Sequence, residues 1–273
     1  MLPILLDLKI IRIYTIGVFL VLAFFWGSYW LWRNIKLTSY KEEDIFDGLF
    51  ITLFGAFLSA RLFFIALHFE DFGFNFLKFI LINGFPGLSI LGALMGGALT
   101  LYLYTRARKI NFRELVDYII GPLFLALSIG KIGSFFGGTD VGTKTAFFLR
   151  VNYVGYEGAG HIVAVYEAVL FFMAFIVSQR LLFKIRRGEA APATAGYFFL
   201  IFFCLTQIIL DNIKVNRLYL ADLPFDIVVN GLVLLVTSAI LLFNNRRLMV
   251  AIAKKPGRIF RQHGTKKSHQ KTD

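Results

Sequence analysis

Four ionisable residues interrupt runs that are otherwise apolar: Arg61, Lys131, Glu167 and Asp211. At the centre of a bilayer each charge costs about 2.5–3.5 kcal/mol, so such residues pair with one another and mark places where charge is used. At 1.5 Å of rise per residue, each of the four lies about 21–24 Å from the inner end of its own run. Two are basic and two acidic, on four different runs, at one level in the outer half. The expectation is a shared hollow where opposite charges meet. Salt bridges that only join helices are the structural alternative, yet apolar replacements of such pairs are often neutral or stabilising. Function is therefore the favoured reading, with chemistry that uses buried charge.

The surroundings of Lys131 fit that chemistry. Gly130, Gly133, Gly137, Gly138 and Gly142 lie where the run ends, and glycines at a helix end let backbone N–H groups approach an anion. Gly92 and Gly96 form a GxxxG, whose ordinary use is close helix packing. His161 opens another apolar run, followed by Tyr166 and Glu167. Six residues apart, His161 and Glu167 do not share a helix face. At the water boundary a histidine can act as a general base near neutral pH. No His, Cys, Asp or Glu grouping has metal-ligand spacing, so neither a metal nor a cofactor is expected. The single Cys204 excludes an internal disulfide and reads as a small buried residue.

The elements that must position these residues are membrane spans. The chain of 273 residues is 58% hydrophobic and only 17% charged, against about a quarter charged in soluble domains. Seven apolar runs, near 13–32, 45–68, 87–104, 117–136, 161–179, 196–213 and 225–243, each approach the length of about 20 residues that a helix needs to cross. An all-α, polytopic integral membrane protein of seven transmembrane helices follows, occupying residues 1–244. Lys and Arg favour one set of connections, with 11 there against 7 on the other side. That bias sets the N-terminus outside and the C-terminus in the cytoplasm. Residues 245–273 form a basic tail. Nine of the 29 Lys and Arg fall between Arg246 and Lys271, so the net charge of +12 points to anionic lipid headgroups and not to nucleic acid. Outside, the Phe-rich stretch 69–86 suits a helix lying in the interface, and 137–160 is long enough for a small functional head. No internal repeat is visible, which weakens an inverted-repeat transporter.

At these residues the sequence resembles the bacterial prolipoprotein diacylglyceryl transferase family, over nearly all of residues 10–243. Gly130-Lys131-Ile132-Gly133-Ser134-Phe135, ending at Gly142, is similar to that family's signature Gly-Arg-x-Gly-Asn-Phe…Gly. Asp117 keeps the family's interval to the signature cation. His161-Ile162-Val163-Ala164-Val165-Tyr166-Glu167 resembles His-Pro-x-Gln-Leu-Tyr-Glu. Arg61, after Gly55 and Ala60, matches a second-span Arg. Gln207, Asp211 and Lys214 match an Arg-x-x-x-Glu-x-x-Arg motif, and Tyr14 an early first-span Tyr.

The resemblance implies a multi-pass enzyme of the bacterial plasma (inner) membrane. It would move the diacylglyceryl group of phosphatidylglycerol onto the lipobox cysteine thiol of a preprolipoprotein signal peptide, releasing glycerol 1-phosphate. Lys131 and Arg61 would face the phosphate and His161 would be the base. Tyr14, Gly130, Gly133, Ser134, Asp140, Tyr166, Glu167, Asp211 and Lys214 would hold substrate or orient partners. Among the departures from the pattern, Leu91 stands where the family has a His, Gln207 replaces an Arg, and Lys131 lacks the bidentate fork of an Arg. They keep open a catalytically impaired homologue that binds anionic lipid or lipoprotein precursors. A small-anion transporter is the more distant alternative.

Overall fold

The computed structural model describes residues 4–7, 12–80, 85, 87–215, 217, 219–220 and 223–244. The basic tail, residues 81–84 and residue 86 lie outside the described set. Two short strands, β1 (Ile4–Asp7) and β2 (Arg12–Tyr14), pair antiparallel and lead into α1 (Thr15–Ile35). Then come α2 (Glu42–Leu67), the short α3 (Phe69–Phe72) and α4 (Phe76–Ile80), α5 (Ile90–Ala107) and α6 (Phe112–Gly137). The hairpin β3 (Arg150–Asn152) and β4 (Ala159–His161) precedes α7 (Val163–Arg186) and α8 (Thr194–Asp211). The hairpin β5 (Tyr219–Leu220) and β6 (Leu223–Pro224) precedes α9 (Phe225–Asn244).

Six of these helices, α1, α2, α6, α7, α8 and α9, are long and apolar enough to cross a membrane. Their lipid-facing character shows in large apolar side chains left uncovered, such as Phe54 at 66% and Leu235 at 71% exposure. In water such a surface would drive aggregation; in hydrocarbon it is at home. The expected third span forms α5, whose 18 residues include glycines, tyrosines and Arg106. Those residues dilute its apolar character below that of the other six. The expected all-α architecture also gains three hairpins, whose strands of two to four residues are too short to show alternation in the sequence.

The chain divides into two compact units, residues 1–199 with 213–216, and residues 200–212 with 217–273. In the first, α1 packs along α6, α6 along α7, and α2 along α5. The α2–α5 seam is a close approach. A Cβ at Gly92 would collide with the Ser59 carbonyl and Phe63, and one at Gly96 with the Ser59 side chain. Leu31, Ile35, Ile45, Leu115, Tyr118 and Leu182 form an apolar cluster at the end of the helices remote from the β3–β4 hairpin. Nearby, the buried Asp117 carboxylate accepts hydrogen bonds from the backbone N–H groups of Ala193 at 2.7 Å and Ala195 at 2.9 Å. It thus caps the start of α8 from α6, satisfying donors that a helix N-terminus leaves unpaired. The second unit holds the later part of α8, β5–β6 and α9; within it Asn230 Nδ2 donates to the Asp226 carbonyl at 2.7 Å.

Candidate functional site

The site begins where α6 stops. Gly138 takes the left-handed conformation at φ 69°, which glycine adopts without steric cost. Its N–H donates to the Phe135 carbonyl and the Thr139 N–H to the Ser134 carbonyl, the pattern of a Schellman cap. The chain turns back there, and Asp140 reaches Lys131 on the helix it has just left, with Nζ to Oδ2 at 2.9 Å.

Beyond Asp140 the backbone enters a small patch of sheet. His161 N–H donates to the Thr143 carbonyl at 3.0 Å, Thr143 N–H to Ile213 at 2.8 Å, and Val215 N–H to Val141 at 3.0 Å. Residues 141–145 therefore lie between β4 and 213–215. Gly142 is required there, because a Cβ would run into the His161 backbone. The antiparallel bridge of Gly142 with Lys214 fixes Lys214 above α7, where its Nζ meets Glu167 Oε1 at 3.0 Å. Lys131 pairs with the other oxygen of Glu167.

An alternating chain results: Asp140, Lys131, Glu167, Lys214, two anions and two cations. Glu167 lies five residues into α7 and Lys131 six before the end of α6, so the chain sits about 6–9 Å along the helices from the head. The Glu167 side chain is wholly buried. Burial alone would raise the Asp140 carboxyl, but the Lys131 ammonium, with Lys214 adding to it, holds that carboxyl below the usual carboxylate range. Such an arrangement orients two ammonium groups in a place of low dielectric, where a cation acts strongly on a further anion.

His161 stands at the end of β4, its backbone against Gly142. Its carbonyl accepts from the Tyr153 hydroxyl at 2.8 Å, and burial pushes that phenol up to about 12, so it stays a donor. The imidazole lies between Phe147 and Tyr166, centroids 6.4 and 6.3 Å away. Its Nδ1 is buried without a hydrogen-bond partner among the described residues. The Tyr166 hydroxyl donates to the Leu149 carbonyl at 3.0 Å.

Arg61 differs from the sequence expectation. Its guanidinium pairs with backbone: Nε donates to Phe79 at 3.0 Å, Nη1 to Phe85 at 2.8 Å and Gly87 at 3.0 Å, and Nη2 to Lys78 at 2.7 Å. Its carbon lies 5.2 Å from the Phe72 ring centroid. The reason is local. A five-residue helix such as α4 leaves its last carbonyls unpaired, and a planar fork with five donors collects several at once. Asp211 ends α8 in the second unit, 2% exposed, with Oδ2 unpartnered among the described residues. Tyr14 is 49% exposed at the start of α1. Gly130 has open space beside its Cα, while Gly133 accommodates Phe19. The role of Tyr153 had no signal in the sequence beyond an aromatic residue in a polar loop.

Helices fit for lipid, with an ordered set of charges held among them near one end, define a polytopic membrane protein. Comparison with known proteins narrows this. The family model for prolipoprotein diacylglyceryl transferase matches residues 3–243, and the chain belongs to that family. Relatives named phosphatidylglycerol–prolipoprotein diacylglyceryl transferase include one from Clostridium novyi, 25% identical over 223 residues, covering 77% of this chain and 85% of the relative. One from Streptococcus sanguinis is 26% identical over 216 residues, covering 75% and 81%. Another, from Enterococcus faecalis, is 28% identical over 198 residues, covering 68% and 70%.

Proposed function

We propose that this protein transfers the diacylglyceryl group of phosphatidylglycerol to the lipobox cysteine thiol of a preprolipoprotein signal peptide and releases glycerol 1-phosphate. The bond between the glyceryl carbon and the phosphate oxygen breaks, its electron pair leaving with the phosphate. A carbon–sulfur bond forms. The thiol must first become a thiolate; His161 takes the proton, which passes on to the released phosphate or to water. Lys131 and Lys214 stabilise the charge that grows on the leaving oxygen, and Glu167 keeps both ammonium groups aimed. Gly130, Gly133 and Ser134 border the lipid, and Tyr14 and Tyr166 orient the substrates. The observation that carries this reading is the shared grip of Lys131 and Lys214 on one buried carboxylate in a chain of this family.

We place seven spans in the membrane, α5 joining the six longer apolar helices, with the N-terminus outside and the C-terminus in the cytoplasm of a bacterial inner membrane. Residues 69–86 lie in the outer interface, residues 137–160 form an outer head, and the basic tail meets anionic lipid. One observation favours a second reading, a homologue that binds lipid without catalysis: Leu91, at the family's His position, is buried and apolar. Purified protein in nanodiscs containing phosphatidylglycerol, given a lipobox peptide, tests both. Release of glycerol phosphate with a mass gain on the peptide is expected; lipid binding without release establishes the second reading.

A further inference from the structure

We propose that Asp140 is an exchangeable counterion, occupying on Lys131 the place that the substrate phosphate takes and returning there to expel the product. This rests on the transferase reading and assigns Asp140 a positioning role within it. The two carboxylates on Lys131 are not equivalent. Glu167 is fully buried and gripped by two ammonium groups, whereas the Asp140 side chain is 25% exposed and pairs with Lys131 from a turn. An anion arriving from the open side can displace the second and not the first. Asp140 can pass into water, while displacing Glu167 would leave a charge unpaired in the interior.

Charge balance supports the exchange. Asp140, Lys131, Glu167 and Lys214 together carry no net charge. A phosphodiester headgroup bears one negative charge, so its entry with departure of Asp140 keeps the site neutral. Transfer turns the diester into a monoester, which carries about −1.5 to −2 at pH 7 by analogy with phosphorylated side chains. The thiol proton accounts for the difference, ending on the phosphate or in water. The product therefore carries more negative charge than the carboxylate it displaced, and exchange of the product for Asp140 on Lys131 returns these groups to their starting charge. The linkage is mechanical as well. Asp140 lies two residues before Gly142, whose backbone pairs with Lys214, so release of Asp140 frees the turn that carries both contacts.

The test compares wild type with Asp140→Asn and Asp140→Glu, all as full-length protein in nanodiscs. Calorimetric titration with glycerol 1-phosphate reads binding without turnover. Asp140→Asn should bind about tenfold more tightly, the factor expected if Asp140 holds Lys131 for about nine-tenths of the time, while Asp140→Glu stays near wild type. In the transfer assay the Asn variant should show a lower KM for phosphatidylglycerol and inhibition by glycerol phosphate at lower concentration. Unchanged or weaker binding in a variant with an intact thermal transition overturns the proposal. If the Asn variant does not fold, Asp140→Ser carries the same comparison; failure of both makes Asp140 structural and also overturns it. Tighter binding with no transfer in any protein would remove the transferase reading and leave the exchange standing.

Discussion

Lys131 and Arg61 stand at equivalent places, each six residues before the end of its helix, and the fold neutralises them in opposite ways. Lys131 is met by side-chain carboxylates, one of them reaching in from a turn. Arg61 is met by four backbone carbonyls of the segment that follows its own helix. A carboxylate can swing aside for another anion, whereas carbonyls built into a chain cannot leave without unfolding that chain. The first arrangement is therefore suited to chemistry and the second to scaffolding. A point charge serves where partners exchange; a planar fork serves where they are fixed.

The comparison can be broken at several points. Glu167→Ala should have the largest effect, since two buried ammonium groups lose their shared partner at about 3–5 kcal/mol. A fall in melting temperature with loss of transfer checks it; a wild-type melt would mean that the two lysines find water. Arg61→Ala should come next, at about 1.5–3 kcal/mol net, because a hydrogen-bonded charge is lost while the carbonyls it leaves can turn to water. Hydrogen exchange should accelerate within residues 69–80 while residues 137–167 keep their protection, and Arg61→Lys should fail to restore it. Equal loss of protection in both regions would erase the distinction. Tyr153→Phe removes one neutral hydrogen bond to His161 and should cost about 0.5–1.5 kcal/mol, read as a modest drop in melting temperature.

The smallest effect is in pH. The Asp140 carboxyl is held below its ordinary value, so its pair with Lys131 contributes stability that is fully present above the unfolded value of about 3.9. That stability is lost as pH falls through the lower folded value. The melting difference between wild type and Asp140→Asn should therefore be constant from pH 7 to about 5 and shrink only below about 4. A difference that disappears near neutrality would show that the pair is not what Asp140 contributes.

Some of this was legible in the sequence and some was not, for physical reasons. Charges at matching depths in apolar runs pointed to Lys131 and Glu167, because depth follows from residue count. Depth says nothing about which way a side chain turns around the helix, so depth alone sets Arg61 beside Lys131, whereas it serves the carbonyls of Lys78, Phe79, Phe85 and Gly87. Asp140 and Lys214 enter the sequence reading through the family resemblance alone, because their places depend on the turn made at Gly138 and on the pairing of Gly142, neither of which residue spacing encodes. The strand patch around them was hidden for the same reason: its segments are too short to alternate. The helices run a few residues past the apolar stretches, as α7 does to Arg186, since long basic side chains reach water while their backbone stays helical.

The most direct test of Lys131 as the phosphate-facing cation is the rate of diacylglyceryl transfer by Lys131→Ala beside Lys131→Arg, across a series of phosphatidylglycerol concentrations. Removing one donor of this kind lowers kcat by about 10²–10³, so the alanine variant should fall by at least that factor while the arginine variant keeps or exceeds the wild-type rate. An alanine variant working at the wild-type rate would contradict the role given to Lys131.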